Sequence, residues 1–283
     1  MFLREKIPDG SRYLCDRSTF RGRARNVVLP NDETELREGI RYCSKGNTKV
    51  TISGTRMGNQ GGAVPTGGDV MSMEHLTGVI GAGKDDHGVF LRVLPCTTIS
   101  RFNNSILVGD VEGIDDNECP SLEGLKFPVE ADPGSSVGGC ISVNRSDIRP
   151  FVRRIKVVFS DSTFMTIERG EFLADGRRLM FPAGRNYFSF DLPDYDSDGD
   201  IGPKISDGMD LIDLFIGSEG IFGIITEADI YLSEEVKSAP TNESGKMCSG
   251  QIAEKYGQKA VDDLKKIKEI LDTSYILNIG NLL

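Results

Sequence analysis

The alternation of apolar and polar positions first resolves a small unit near the N-terminus. Asn26 to Leu29 reads as a short strand, Asp32 to Tyr42 as a helix and Val50 to Ser53 as a second strand. Leu36, Ile40 and Cys43 recur at three- and four-residue spacing and share one helical face. Asp32 with Glu35 three positions on has the form of a capping box, and Gly46-Asn47 closes the helix. The second strand then runs straight into Gly54-Thr55-Arg56-Met57-Gly58-Asn59-Gln60-Gly61-Gly62, which collects the glycines at a strand end.

Further on, Val89 to Leu94 alternates like a strand, and a small-residue segment follows at Asp132 to Gly139. Arg154 to Phe159 and Thr163 to Glu168 are β-rich runs joined at Ser160-Asp161-Ser162, and Asp175-Gly176 is a hairpin signal. Together they predict an antiparallel sheet. Asp210 to Phe215 reads as a short helix, Gly217 to Gly223 as a turn and Ile224 to Leu232 as a strand. Ser233 to Gly250 is polar and irregular, as in a linker or an excision scar. Gln251 to Leu271 is expected to be one amphipathic helix, with Ile252, Ala260, Leu264, Ile267 and Leu271 on the side that docks on the main body.

Composition narrows the function classes. At 283 residues the chain is one large or two small domains with enough apolar residues for a core. With 33 Lys+Arg against 43 Asp+Glu, a net charge of -10 argues against a nucleic-acid partner. There is no run of about 18 apolar residues, and Met1 to Gly10 is charged, so no transmembrane segment and a cytoplasmic protein are expected. Six cysteines without a C-x-x-C pair read as reduced, packed thiols. Asp194 to Gly199 begins like a calcium loop, but its twelfth position is Ile205 rather than the bidentate Glu, so a solvated acidic loop and no metal are expected. Asp85-Asp86 and Asp115-Asp116 read as turn carboxylates, and Arg21, Arg23 and Arg25 as a solvated edge or, as the alternative, neighbours of a bound phosphate.

The two glycine-rich segments carry the candidate chemistry. A dinucleotide's pyrophosphate has to be approached by backbone N–H groups, and side chains would stand in the way. Neither segment is G-x-G-x-x-G opening a helix in a parallel βαβ unit, so a Rossmann site is not expected. Each alone is equally a surface turn.

Four stretches in order resemble one family. They are SGTRMGNQGGAVPTGG (Ser53 to Gly68), GSSVGGCISVN (Gly134 to Asn144), DLIDLFIGSEGIFGIITEADIYL (Asp210 to Leu232) and ILDTSYILNIGNLL (Ile270 to Leu283). They are similar to the motifs of the FAD-linked oxidases of the p-cresol methylhydroxylase or vanillyl-alcohol oxidase type, and most like the D-lactate and glycolate dehydrogenases. The resemblance implies an α+β fold of two subdomains, residues 1–80 and 81–232, with FAD extended between them. Residues 233–250 would then link to a C-terminal helix and tail at 251–283. It further implies cofactor contacts at Ser53, Gly54, Thr55, Arg56, Met57, Gly58, Gly61 and Gly62. Pro133, Ser135, Ser136, Gly138, Gly139, Ser142 and Asn144 would contribute from the second loop, and Gly223 and Ile224 from the third motif.

The departures are as informative. The family carries a cap domain between its ITE strand and its closing tail, whereas about 38 residues separate Leu232 from Ile270 here. In those relatives the cap supplies a histidine-rich metal and substrate site. This chain has only His75 and His87, neither resembling a covalent attachment point, so the FAD is expected to be dissociable and the catalytic residues are unassigned. Where the family has a small Ser-Gly pair after the Asn, this chain reads Arg145-Ser146-Asp147, and a carboxylate there would oppose an electron-rich reduced ring. A K-N-x-A-G-Y segment is reduced to Lys204 to Gly208, leaving Lys204 as a candidate anion contact. The resemblance implies a 2-hydroxy acid oxidoreductase whose missing groups come from a partner subunit. The alternatives are a non-catalytic FAD-binding subunit and a degenerate chain.

Overall fold

The computed structural model describes residues 2–109, 121–238 and 249–283. Asp115-Asp116, Cys119, Cys248 and part of the expected linker lie outside the described residues.

Four strands form the first sheet. β1 (Leu3–Lys6), β2 (Asn26–Leu29), β3 (Val50–Ser53) and β4 (Asp69–Ser72) stand in the order β1-β2-β4-β3. β4 lies parallel to both neighbours and is buried at all four positions, so it has no polar alternation by which a sequence would reveal it. The helix between β2 and β3, α1 (Glu33–Lys45), buries Leu36, Ile40 and Cys43 on that sheet. Asp32 accepts from the Glu35 N–H at 2.8 Å, but the Glu35 carboxylate reaches back to the Asn31 N–H rather than to Asp32. After the helix the left-handed residue is Asn47, at φ 44°, and not Gly46.

The second sheet is antiparallel throughout, as the middle of the sequence predicts. It contains β5 (Val79–Asp85), β6 (Gly88–Val93), β7 (Val152–Val158), β8 (Phe164–Glu168) and β11 (Ile224–Tyr231), in the order β5-β6-β11-β7-β8. β9 (Arg178–Ala183) and β10 (Asn186–Asp191) form a separate hairpin. Its turn is at Gly184-Arg185. Asp175-Gly176 instead opens a second two-residue turn just before it, where Asp175 and Arg178 exchange backbone hydrogen bonds.

Three helices cover the inner face of this sheet. α2 (Ile99–Val108), α3 (Val137–Ser142) and α4 (Ile212–Phe215) bury Phe102, Ile141 and Phe215 against Ile155, Val157 and Ala228. α3 was expected as a loop, because Val-Gly-Gly-Cys-Ile-Ser has little helix propensity. Burial of Val137, Cys140 and Ile141, with Ser136 capping the first turn, overrides it. On the outer face Asp229 is fully buried and accepts from Arg92, Arg153 and Arg154. Lys156 pairs with Glu33 at 2.6 Å and joins this sheet to α1.

The expected single C-terminal helix is two. α5 (Ser249–Tyr256) and α6 (Gln258–Leu271) break at Gly257, whose φ of 86° a helix cannot hold. Tyr256 stacks on Tyr195 at 4.6 Å, and α6 buries Leu264, Ile267 and Leu271 in the main core. Lys268 is also buried, donating at 2.8 Å each to the Ile221 and Leu277 carbonyls and to Asp272 Oδ2. The tail then runs along the open edge of β3, with Leu277 opposite Val50. Among the described residues no helix is long and apolar enough to cross a membrane.

Candidate functional site

A cleft of about 700 Å³ opens where the end of β3, the start of α3 and the turn before β11 come together, within the size range of cofactor pockets. Its first wall is the loop after β3. Among the described residues, no protein acceptor takes the backbone N–H groups of Thr55, Arg56, Met57 and Gly58. Arg56 is left-handed at φ 59°, the kind of residue that lets successive N–H groups turn toward one anion. Its side chain turns back on its own loop, donating to the Gly54 carbonyl at 3.0 Å and lying 3.6 Å from Glu74.

Ser136 forms the opposing wall, and three glycines let the walls close. A Cβ on Gly54 would stand 2.8 Å from Ser136 Oγ, and one on Gly139 would stand 2.9 Å from the same atom. A Cβ on Gly138 would meet the Pro95 carbonyl oxygen at 2.9 Å. The Gly138 and Gly139 N–H groups are already used, by Pro95 O and Ser136 Oγ, so these two residues serve close approach rather than donation to a ligand. The third wall is the turn into β11. There a Cβ on Gly223 would lie 2.4 Å from Val157 Cγ1. Ile52, Met73, Phe215 and Ile224 add apolar lining suited to an aromatic base.

Of the residues singled out in the sequence, Gly54, Thr55, Arg56, Met57, Gly58, Gly62, Ser135, Ser136, Gly138, Gly139, Ser142, Asn144, Gly223 and Ile224 line this cleft. Ser53, Gly61 and Pro133 do not. Ser53 is fully buried behind the loop, Gly61 lies under the Phe20 ring, and Pro133 turns its carbonyl to the Ser100 N–H. Lys204 is also outside the lining. His75 and His87 are exposed and away from it, with His75 Nδ1 3.0 Å from Asn31 Oδ1. Cys140 lines the cleft, but burial pushes its thiol up to about 12, which leaves it protonated and unreactive at neutral pH.

The structure adds residues that sequence patterns did not single out. Arg17 donates its backbone N–H to the Gly58 carbonyl, and its guanidinium reaches Asp132 Oδ2 at 2.7 Å, tying the two loop segments together. From the tail, Asn278 accepts from the Ile52 N–H at 2.7 Å and donates to the Glu219 carbonyl at 2.6 Å, while Asn281 donates to the Gly62 carbonyl. Only the asparagine in the closing motif carried any signal.

The stretch after α3 corrects one expectation. Asn144, Ser146 and Asp147 all have left-handed φ, at 49°, 47° and 54°, which costs non-glycine residues energy. The Ser146 hydroxyl donates to the Glu130 carbonyl, and Asp147 pairs with Lys237 at 2.5 Å. The Asp147 carboxylate is therefore balanced by an ammonium group and does not stand as a free negative charge in the cleft. In the acidic loop, Asp194 pairs with Lys259, Asp196 with Arg177 and Asp200 with Lys255. Among the described residues no group of three or more His, Cys, Asp or Glu side chains could hold a metal ion.

A run of four N–H groups without protein acceptors, closed by small residues and flanked by apolar walls, fits a diphosphate joined to aromatic groups.

The chain is similar to known proteins along most of its length. It is 27% identical over 232 residues to a D-lactate dehydrogenase of Anaerostipes hadrus, covering 80% of this chain and 40% of that protein. It is 26% identical over 254 residues to a D-lactate dehydrogenase of Archaeoglobus fulgidus, covering 85% and 47%. Against a D-2-hydroxyglutarate dehydrogenase of Xanthomonas citri pv. viticola it is 26% identical over 220 residues, covering 74% and 36%. The chain thus spans less than half the length of these relatives. No family model matches. Among solved structures, a chitooligosaccharide oxidase superposes with a TM-score of 0.52 at 8% identity, covering 81% of this chain and 41% of that one. An alkyldihydroxyacetonephosphate synthase superposes with a TM-score of 0.51 at 14% identity, covering 76% and 32%. The shared fold mixes helices and sheets, in the α+β class that the four motifs led one to expect.

Proposed function

We propose that this chain, a member of the FAD-linked oxidase family of the p-cresol methylhydroxylase type, binds FAD non-covalently in the cleft and serves a 2-hydroxy acid dehydrogenase as its flavin-binding part. The observation that carries the reading is the set of free N–H groups at Thr55, Arg56, Met57 and Gly58. In this reading they take the diphosphate, with the Ser135 and Ser136 hydroxyls opposite, and Gly223 and Ile224 offer backbone to the adenine. FAD, once bound, supplies the hydride acceptor. The chain's own residues bind and orient it: Gly54, Gly138 and Gly139 keep the walls close, and Met73, Phe215 and Ile224 exclude water from the aromatic ends.

The division into subdomains at 1–80 and 81–232, with residues 233–250 standing where relatives have a cap, belongs to the same proposal. So does a partner subunit that supplies the cap or an electron-transfer group, because no histidine is among the residues that line the cleft. A cytoplasmic setting fits the free thiols of Cys15, Cys43, Cys96 and Cys140. The absence of any histidine from the lining favours a second reading, a non-catalytic FAD-binding or degenerate subunit of a larger dehydrogenase.

Anaerobic mixing of the FAD-loaded chain with D-lactate, glycolate or D-2-hydroxyglutarate separates the two. Bleaching of the flavin bands supports the oxidoreductase. Bands that persist with each of the three acids support the second reading. Acid precipitation tests the linkage, and flavin left on the pellet contradicts non-covalent binding.

A further inference from the structure

One guanidinium in the cleft makes no ion pair among the described residues. Three arginines line it. Arg17 is paired with Asp132 and Arg56 with Glu74. The Arg145 guanidinium has neither a carboxylate at ion-pair distance nor a hydrogen bond among the described residues, and Asp132 acts on it only at longer range. Among the acids that line the cleft, Asp147 is matched by Lys237 and Asp200 by Lys255, and the Glu219 carboxylate lies beside Gly62 on the opposite wall. Arg145 is therefore the arginine of the lining whose guanidinium makes no ion pair among the described residues.

Its location follows from α3. Ser136 caps the start of that helix and Arg145 follows its end. Six helical residues at about 1.5 Å each put roughly 9 Å between the diphosphate cradle and the segment that carries Arg145. The cleft is closed where Met73 and Ile224 line it, at 3% and 2% exposure, and open where Val143 lines it, at 39%. A ring that exchanges hydride with an outside substrate needs the open side, whereas an adenine needs no access.

We propose that Arg145 stabilises the negative charge that the cofactor's reactive ring acquires on reduction. The inference rests on the FAD reading above. A CH–OH carbon that gives up hydride transfers two electrons and one proton to a neutral oxidised ring. The ring is left with one net negative charge, and the hydroxyl proton passes to water. An unpaired guanidinium nearby, in a partly desolvated cleft, favours that charged product over the neutral reactant.

The test uses Arg145→Ala and Arg145→Lys in the full chain loaded with FAD. Two quantities are read, the flavin midpoint potential and the dissociation constant of sulfite, whose lone pair bonds to the oxidised ring and places the same negative charge on it. Since the Arg145 guanidinium makes no ion pair or hydrogen bond among the described residues, the Ala variant is expected to melt with the unsubstituted chain. It is expected to bind FAD within threefold of that chain, to bind sulfite at least tenfold more weakly and to shift the potential by about -30 mV, the equivalent of tenfold for a two-electron couple. Arg145→Lys is expected to retain most of both. Potential and sulfite affinity within twofold in Arg145→Ala overturn the inference. So does a tenfold loss of FAD affinity at unchanged potential, which makes Arg145 a phosphate contact, or weaker D-lactate binding at unchanged potential, which makes it a contact for a ligand carboxylate. An unsubstituted chain that takes up no FAD overturns the cofactor reading itself and this inference with it.

Discussion

Asn278 connects three segments that are far apart in the chain, and its removal has a calculable cost. Its Oδ1 accepts from the Ile52 N–H at 2.7 Å, its Nδ2 donates to the Glu219 carbonyl at 2.6 Å, and its backbone N–H donates to Val50. It is 5% exposed, so Asn278→Ala leaves two backbone groups without partners, at about 1–3 kcal/mol each. Its φ is 44°, and alanine in the left-handed region costs about 1 kcal/mol more than asparagine. Water can enter from the cleft, so the lower end of the sum applies, about 3 kcal/mol. Asn278→Gly loses the same hydrogen bonds but not the φ penalty, and should be more stable than the Ala variant by about 1 kcal/mol. Urea unfolding of the FAD-free chains, followed by circular dichroism, measures both. A loss under about 1 kcal/mol in Asn278→Ala, or a Gly variant less stable than Ala, refutes the reasoning.

Other residues make separate demands. Gly138→Ala places a Cβ 2.9 Å from a backbone oxygen that cannot swing away; it should cost about 1–3 kcal/mol and weaken FAD binding more than tenfold in a titration, with the circular dichroism spectrum retained. Lys268→Met strands the buried Asp272 carboxylate and should cost about 3–5 kcal/mol in urea unfolding, part of it recovered on adding Asp272→Asn. Burial raises the Asp85 carboxyl, but Arg153, the His87 N–H and the Tyr231 hydroxyl together outweigh it and hold the group down to about 2. A depressed carboxyl contributes stability that is complete above its unfolded value, about 4, and is lost as pH falls toward 2. Asp85→Asn should therefore flatten the fall in melting temperature between pH 4 and pH 2, and an unchanged acid limb would contradict that assignment.

How much was legible followed from the physics of each element. β2 and β3 could be read because each is a short run containing β-branched residues, and α1 because it has one buried and one exposed side. β4 could not, since it is buried on both, and α3 was hidden because two glycines give its sequence the appearance of a loop. A single glycine at 257 broke a helix whose apolar spacing runs on through the break. In the cleft, the glycines at 54, 138 and 139 stood out because close backbone approach demands that residue type. Arg17 and Asn281 did not, because they enter only through long-range hydrogen bonds that leave no local pattern. The four motifs led to the cleft, but they could not show that Asp147 is paired with Lys237 while the Arg145 guanidinium makes no ion pair among the described residues, since charge pairing is decided in three dimensions.

The central claim is that the four free N–H groups at Thr55 to Gly58 hold the diphosphate of FAD. Titration of the purified chain with FAD, AMP and riboflavin, followed by flavin fluorescence and calorimetry, tests it most directly. The account predicts saturable one-to-one binding of FAD, much weaker binding of the two fragments that lack the diphosphate, and loss of FAD binding in Gly138→Ala. Riboflavin binding as tightly as FAD, or no FAD binding by a folded chain, would contradict it.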